Sequence, residues 1–300
     1  MRLGFAVKVL GEGGMPSHDT RRWQSGPHLR SSLDRLRAIL GYLDRHGIRM
    51  YRMATALAPY ASHPELTQFH GQLEECAAEL AKTGALALEK DIRLSTHPGQ
   101  YTVLNSERLE VQSAAVAELE VQAGVLDAMG LGPDAVVVLH VGGGAGGQVA
   151  AADRFLAGFE RLGERARARL VVENDDRVFG VRDALGVAER AGVPLVFDVH
   201  HHHCHDPAGI DDREALELAL ATWPAGVTPK LHFSSPRLDI GDGHRMPGLR
   251  SHADLIDPIA FDWFLRHVAA GLDVDVMLEA KGKDLALLRL REQLAARNPT

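Results

Sequence analysis

Cysteine is scarce in this chain: Cys76 and Cys204 are the only two in 300 residues. They stand far apart and match neither a CxxC nor a zinc-ribbon spacing, which excludes a disulfide framework and leaves two reduced thiols as the expectation. Positive charge is also short, with 33 Lys and Arg against 40 Asp and Glu and a formal charge of −7. A protein that coats nucleic acid with its whole surface runs on Lys and Arg, so that mode is excluded. No apolar run approaches the length of a membrane span. The opening "MRLGFAVKVLGEGG" has one Arg and no long hydrophobic region or small-residue cleavage pattern. It reads as a strand, and a cytoplasmic protein is expected. No linker or break in composition divides the chain, so a single domain over 1–300 is expected, with roughly the last ten residues a loose tail.

What the chain does have is a regular alternation of short β-rich runs and longer amphipathic stretches. The runs are "LGFAVKV" (3–9), "RMYRMA" (49–54), "IRLSTH" (92–97), "AVVVLH" (135–140), "RLVVEN" (169–174), "PLVFDVH" (194–200), "PKLHFSS" (229–235) and "DVMLEAK" (275–281). Between them, Leu and Ala recur at three- and four-residue spacing, and several of these stretches end in Gly just before the next run, as in "RHGIR" and "RAGVPL". Repeated strand-helix units predict a parallel α/β fold, a single (β/α)8 TIM barrel.

Histidine is abundant, 16 of 300, and five fall within "HHHHCH" (200–205). Polar residues gather at the C-terminal ends of the runs: His97, His140, Glu173 with Asn174, Asp198, Lys230 with His232, and Glu279 with Lys281. Barrel active sites are built on that face. Imidazole nitrogen mixed with carboxylate oxygen suits Mn, Zn or Fe better than an all-oxygen Mg or Ca cage. The candidate donors exceed the capacity of one tetrahedral site and imply roughly two or three ions with bridging carboxylates. "HVGGGAGGQ" fits G-x-G-x-x-G, but the acidic residue of a dinucleotide site, due about 20 residues on, is missing. A flexible loop carrying His140 is the better reading, and no nucleotide cofactor is expected. "STHPGQY" (95–101) turns at Pro98-Gly99 and sets Gln100 and Tyr101 at the tip, an amide and an aromatic of the kind that fills space in an unstacked duplex.

The segments "RLSTHPGQY", "VVVLHVGG", "LVVENDD", "FDVHHH", "PKLHFSS", "RSHADLI" and "VMLEAKGKD", in that order from about residue 50 to 284, resemble the UV-damage endonucleases. This UVDE/UvsE family is related in fold and metal arrangement to endonuclease IV. The resemblance implies three divalent metals, typically Mn2+ with Zn2+ or Mg2+ as alternatives. It also implies a nick immediately 5′ to UV photoproducts in double-stranded DNA, leaving a 3′-hydroxyl and a 5′-phosphate. By the same resemblance the ligands are His63 in "ASHP", His97, His140, Glu173, Asp198, His201, His232, His252 in "SHAD" and Glu279, with Lys230, Glu173 and Glu279 as catalytic groups. Lys230 matches a lysine that the family can carry as N6-carboxylysine, and Gln100 and Tyr101 match the residues that wedge into the helix. Phe5 stands where many relatives have a tyrosine, which puts its lesion contact in doubt.

Two choices stay open on the residues alone. Strand alternation favours His200 as the partner of Asp198, whereas the resemblance favours His201; His244 competes with His252. His202, His203 and His205 have no assigned role. Rival readings are a TIM-barrel AP endonuclease, a sugar isomerase with fewer ligands and no wedge, and a non-catalytic metal-storage protein, which would cluster its ligands in a tail. A monomer that binds DNA and no membrane is the expectation.

Overall fold

Each of the eight β-rich runs contributes a strand. A computed structural model of the chain, which describes residues 1–237 and 248–297, contains β1 (Leu3–Ala6), β2 (Met50–Arg52), β3 (Arg93–Ser95), β4 (Val137–His140), β5 (Leu170–Glu173), β6 (Leu195–Val196), β7 (Lys230–Phe233) and β8 (Asp275–Leu278). They form parallel ladders in the orders β3-β2-β1-β8-β7 and β4-β5-β6. Isolated parallel bridges join the two ladders at Thr96–Val137 and Asp198–His232. Backbone hydrogen bonds support both seams, from Val138 N–H to the Thr96 carbonyl at 3.0 Å and from His232 N–H to the Phe197 carbonyl at 2.9 Å. The strands therefore follow one another round a ring in chain order, as in a (β/α)8 barrel.

The helices between strands are α1 (Leu29–Arg45), α2 (Gln72–Glu75), α3 (Ala77–Glu89), α4 (Leu109–Ala128), α5 (Gln148–Phe159), α6 (Glu164–Arg169), α7 (Val181–Ala191), α8 (Val199–Cys204), α9 (Asp212–Leu220), α10 (Pro258–Trp263) and α11 (Lys283–Arg297). Helix α1 shows why they pack as they do: Leu29, Leu33, Leu36, Leu40 and Leu43 recur at helical spacing and are all buried. Helix α7 stops at Gly192, whose φ of +68° is the left-handed C-cap that the "RAGVPL" pattern predicts.

The expectation of a strand through His200 is corrected. Strand β6 ends at Val196, and His200 and His201 lie in α8. Asp198 is the reason: its side chain accepts the His201 N–H at 2.8 Å and caps a helix that starts at Val199. At the N-terminal end of the barrel, buried Arg93 donates to the Asp134 and Thr228 carbonyls and to Asp275 Oδ2 at 3.0, 2.8 and 3.0 Å, which ties β3, β7 and β8 together there.

At the opposite end the loop after β1 is tied down by Asp284. This buried carboxylate accepts from Leu10 N–H at 2.7 Å, Gly11 N–H at 2.9 Å and the Tyr42 hydroxyl at 2.6 Å. Gly11 must be glycine there, since a Cβ would lie 2.7 Å from the Tyr42 hydroxyl and 2.8 Å from Asp284 Oδ2. Asp284→Ala leaves three donors without their acceptor and is expected to cost about 2–4 kcal/mol. A urea midpoint equal to the wild type's would show that the loop is held by something else.

Candidate metal centre

Strand direction brings the polar ends together. His140 and Glu173 close β4 and β5, His97 and Asp198 lie two residues past β3 and β6, and Glu279 follows β8 directly. In a parallel barrel all these positions share one face.

Glu173 is the hub. Its fully buried carboxylate accepts from His97 Nε2 at 3.0 Å and, on the other oxygen, from His232 Nδ1 at 2.9 Å. His140 Nε2 and His201 Nδ1 stand 3.8 and 3.5 Å away. Asp198 is held by its backbone: its N–H donates to Asn174 Oδ1 at 2.8 Å and its carbonyl accepts from Asn174 Nδ2 at 3.0 Å. Its Oδ2 has His201 Nδ1 at 3.7 Å and His232 Nδ1 at 3.9 Å. Glu279 accepts from the Arg52 guanidinium, lies 3.3 Å from His232 Nδ1, and turns its second oxygen to His252 Nδ1 at 3.7 Å.

These donors fit a multinuclear cation site. Three sets have ligand atoms within 4.8 Å of one another: His97, His140 and Glu173; Glu173, Asp198 and His201; and Asp198, His232 and Glu279. Glu173 belongs to two sets and Asp198 to two. Asp198 Oδ2 and His232 Nε2 are buried with no hydrogen-bond partner among the described residues. Such atoms are costly to bury unless something binds them.

The electrostatics point the same way. Burial opposes ionisation of Glu173, but His232 and His140 and the imidazole hydrogen bonds outweigh it and hold the carboxyl well below its usual range. Burial also opposes ionisation of Glu279, which Arg52 and His232 overcome. Asp198 moves the other way: burial raises it, His201 pulls it back, and the Glu173 and Glu279 charges add to the rise. Burial pushes His97 down to about 4, against the pull of Glu173. Burial also works on His201, yet Asp198, Glu173 and Glu279 lift it to about 9.

The remaining candidates fall in distinct places. Lys230 opens β7 rather than ending it, and its buried Nζ donates to Ser95 Oγ at 3.2 Å. Burial, with the Arg93 and Arg52 charges, holds its ammonium well below the ordinary lysine value. His252 packs its ring on His200 at 5.4 Å and His201 at 6.0 Å, at the outer edge of the cluster. His63 belongs to none of the three sets; it lines a groove with Tyr60, Gly99 and Tyr101. Gln100 and Tyr101 are exposed at a turn, Tyr101 by 84%. Phe5 is corrected as a DNA-contacting residue: it is 0% exposed, packed edge-on against Tyr51, and offers DNA no surface. His244 lies outside the described residues. His203 pairs with Asp212 at 2.9 Å, a structural use of one histidine from the run.

Sequence reasoning missed Arg52 and passed over Asn174 as a ligand orienter. The glycine-rich loop proves to be backbone geometry: Gly142 has φ +109°, and a Cβ there would lie 2.4 Å from Asn105 Oδ1. Asn105 Nδ2 in turn donates to the Gly143 carbonyl at 2.7 Å.

Comparison with known proteins adds to this geometry. A family model described as UV-endonuclease UvdE matches residues 28–299. The UV DNA damage endonuclease of Bacillus velezensis is 36% identical over 260 residues, covering 85% of this chain and 78% of that protein. The crystal structure of SacUVDE superposes with a TM-score of 0.86 at 33% identity over 100% of both chains. Endonuclease IV from Thermus thermophilus shares the fold, with a TM-score of 0.61 at 15% identity over 99% of this chain and 98% of that one.

An imidazolium cannot ligate a cation, so metal ligation by His201 near neutral pH would require displacing the proton that the carboxylates hold on it. Titration calorimetry in two buffers of different ionisation enthalpy is expected to show net proton release on Mn2+ binding, reduced in His201→Ala. Metal binding without proton release at that pH would remove His201 from the site.

Proposed function

This chain belongs to the UV-endonuclease UvdE family, and from that membership we propose a metal-dependent DNA repair endonuclease that cuts the phosphodiester immediately 5′ to UV photoproducts in double-stranded DNA. The products are a 3′-hydroxyl and a 5′-phosphate. The observation that carries the chemistry is the pair of shared carboxylates, Glu173 and Asp198, each common to two sets of donors. Divalent ions bound there, three Mn2+ in this reading, supply an activated water and neutralise the charge that develops on the phosphoryl and leaving oxygens.

The chain's own residues do the rest. His97, His140 and Glu173 would hold one ion, Glu173, Asp198 and His201 a second, and Asp198, His232 and Glu279 a third, with His252 at the outer edge. Asn174 fixes Asp198, and Arg52 fixes Glu279, so the donors need no rearrangement to bind. Gln100 and Tyr101 are the wedge: an aromatic ring left 84% exposed beside the mouth gains a stacking partner only when bases are unstacked against it. A DNA substrate is consistent with the cytoplasm, and since one chain supplies every donor, a monomer suffices. Among the described residues no helix is long and apolar enough to cross a membrane.

Lys230 enters the proposal as N6-carboxylysine. The buried amine hydrogen-bonds a single hydroxyl, burial and the Arg93 and Arg52 charges outweigh the pull of Glu173 and Glu279 on its ammonium, and neighbouring cations would repel it further. The Nζ lone pair attacks CO2, a C–N bond forms as one C=O π pair moves to oxygen, and the N–H proton leaves to water. The resulting anion sits beside cations instead of opposing them.

Purified protein with Mn2+ is expected to convert UV-irradiated supercoiled plasmid to nicked circles and to leave undamaged plasmid intact. Glu279→Gln and His232→Ala should each lower nicking at least about 100-fold with unchanged circular dichroism, because each deletes a candidate metal donor. Equal nicking of both plasmids, or none of either, would favour an AP endonuclease or a sugar isomerase. Near wild-type nicking by either variant would remove that residue from the centre.

Native mass spectrometry under CO2-saturated conditions should show one added CO2, absent in Lys230→Ala, which should also nick poorly. An unmodified mass in fully active protein would eliminate the carbamate and leave the metal ligands untouched.

A further inference from the structure

The β8–β1–β2 side of the barrel mouth carries positive charge that the metal centre does not consume. Arg52, the last residue of β2, pairs with Glu279. Lys283, the first residue of α11, is half-buried among Arg52, Lys8 and Glu279, near enough for all three charges to act on its ammonium. Lys8, just past β1, is exposed. Among the described residues neither lysine side chain has a hydrogen bond or an ion pair. Lys283 thus has two cations, Arg52 and Lys8, and one carboxylate, Glu279, for charged neighbours, and that carboxylate is already paired with Arg52.

The backbone holds them in place at a cost. Val7 adopts φ +67°, a left-handed conformation that a β-branched residue takes only where its surroundings impose it. Lys8 N–H folds back onto the Ala6 carbonyl at 2.9 Å, and Val7 N–H donates to the Arg52 carbonyl at 2.9 Å. The Val7 carbonyl accepts from the Tyr51 hydroxyl at 2.5 Å. Lys283 is also left-handed, with φ +51°. Asp284, next to it, takes the N–H groups of Leu10 and Gly11. The segments that carry Lys8 and Lys283 are therefore tied to each other through Asp284 and to β2 through Val7. Strained, clamped backbone that holds like charges together is built for an anion.

We propose that Lys8, Arg52 and Lys283 form a phosphate-binding site that grips a DNA phosphodiester flanking the one presented to the metal centre. The inference rests on the endonuclease reading for its ligand. Arg52 supplies a planar fork already fixed by Glu279, and the two lysines supply point charges with free donors. A chain with a net charge of −7 needs such a local site, because its overall field repels DNA.

The test is the salt dependence of binding by metal-loaded protein to a short undamaged duplex, with KM for irradiated plasmid measured alongside. Replacing one phosphate contact lowers the slope of log K against log salt by about 1. Lys8→Gln and Lys283→Gln are each expected to do so and to raise KM, and Lys283→Arg to restore both. Lys82→Gln, an exposed lysine on the outer helix α3, should leave the slope unchanged. Should Lys283→Gln fail to fold, exposed Lys8→Gln carries the test alone. Unchanged slopes in a protein that still binds and nicks irradiated DNA overturn the phosphate site and spare the endonuclease reading. An equal drop for Lys82→Gln also overturns it, since the effect would then be one of net charge. Wild-type protein that neither binds the duplex nor nicks irradiated plasmid would instead defeat the endonuclease reading.

Discussion

One fully buried carboxylate governs this structure. Glu173 is fully enclosed and is held ionised by imidazoles arriving from β3, β4, α8 and β7. Taken alone, an ionised group in that position would protonate or unfold the barrel mouth. Surrounded by histidines, it becomes the fixed point on which four parts of the barrel converge. The Asn174 clamp on Asp198 and the Arg52 clamp on Glu279 extend the same principle outward: each acidic group is immobilised by a group that is not itself a candidate ligand. Rigid donors of this kind bind cations without first paying to become ordered.

The two ends of the barrel divide the work. At the N-terminal end buried Arg93 pairs with Asp275 and donates to the Thr228 carbonyl. At the C-terminal end the charges are left with open valences, as Asp198 Oδ2 and His232 Nε2 show. The mouth also carries left-handed backbone at Val7 and Lys283.

Much of this was legible in the sequence, for a physical reason: where an apolar run ends in His, Glu or Asp, the polar group has to sit at the strand's end and nowhere else. His97, His140, Glu173, Asp198, His232 and Glu279 follow from that alone. His201 does not. Alternation favoured His200, because an apolar run ahead of Asp198 hides the point at which strand gives way to a helix, and a run of identical histidines has no periodicity to mark it. On the first turn of α8, Asp198 and His201 are one helical turn apart and share a side. Arg52 was illegible because an arginine ending a strand usually reaches solvent, and nothing local records that Glu279, far along the chain, awaits it. Phe5 misled through its place at a mouth-facing strand, when its ring turns into the core against Tyr51. The left-handed φ of Val7 has no sequence signal, since valine is the residue least expected there.

The central claim is that Glu173 and Asp198 each bridge two cations. Electron paramagnetic resonance of fully Mn2+-loaded protein tests it directly, because ions that share a carboxylate couple their spins and isolated ions do not. Shared carboxylates predict an exchange-coupled spectrum in the wild type that loses part of its coupling in Glu173→Gln and gives way to isolated-ion signals in the double variant Glu173→Gln/Asp198→Asn. A spectrum of isolated Mn2+ alone, recorded from protein that nicks irradiated DNA, would contradict it.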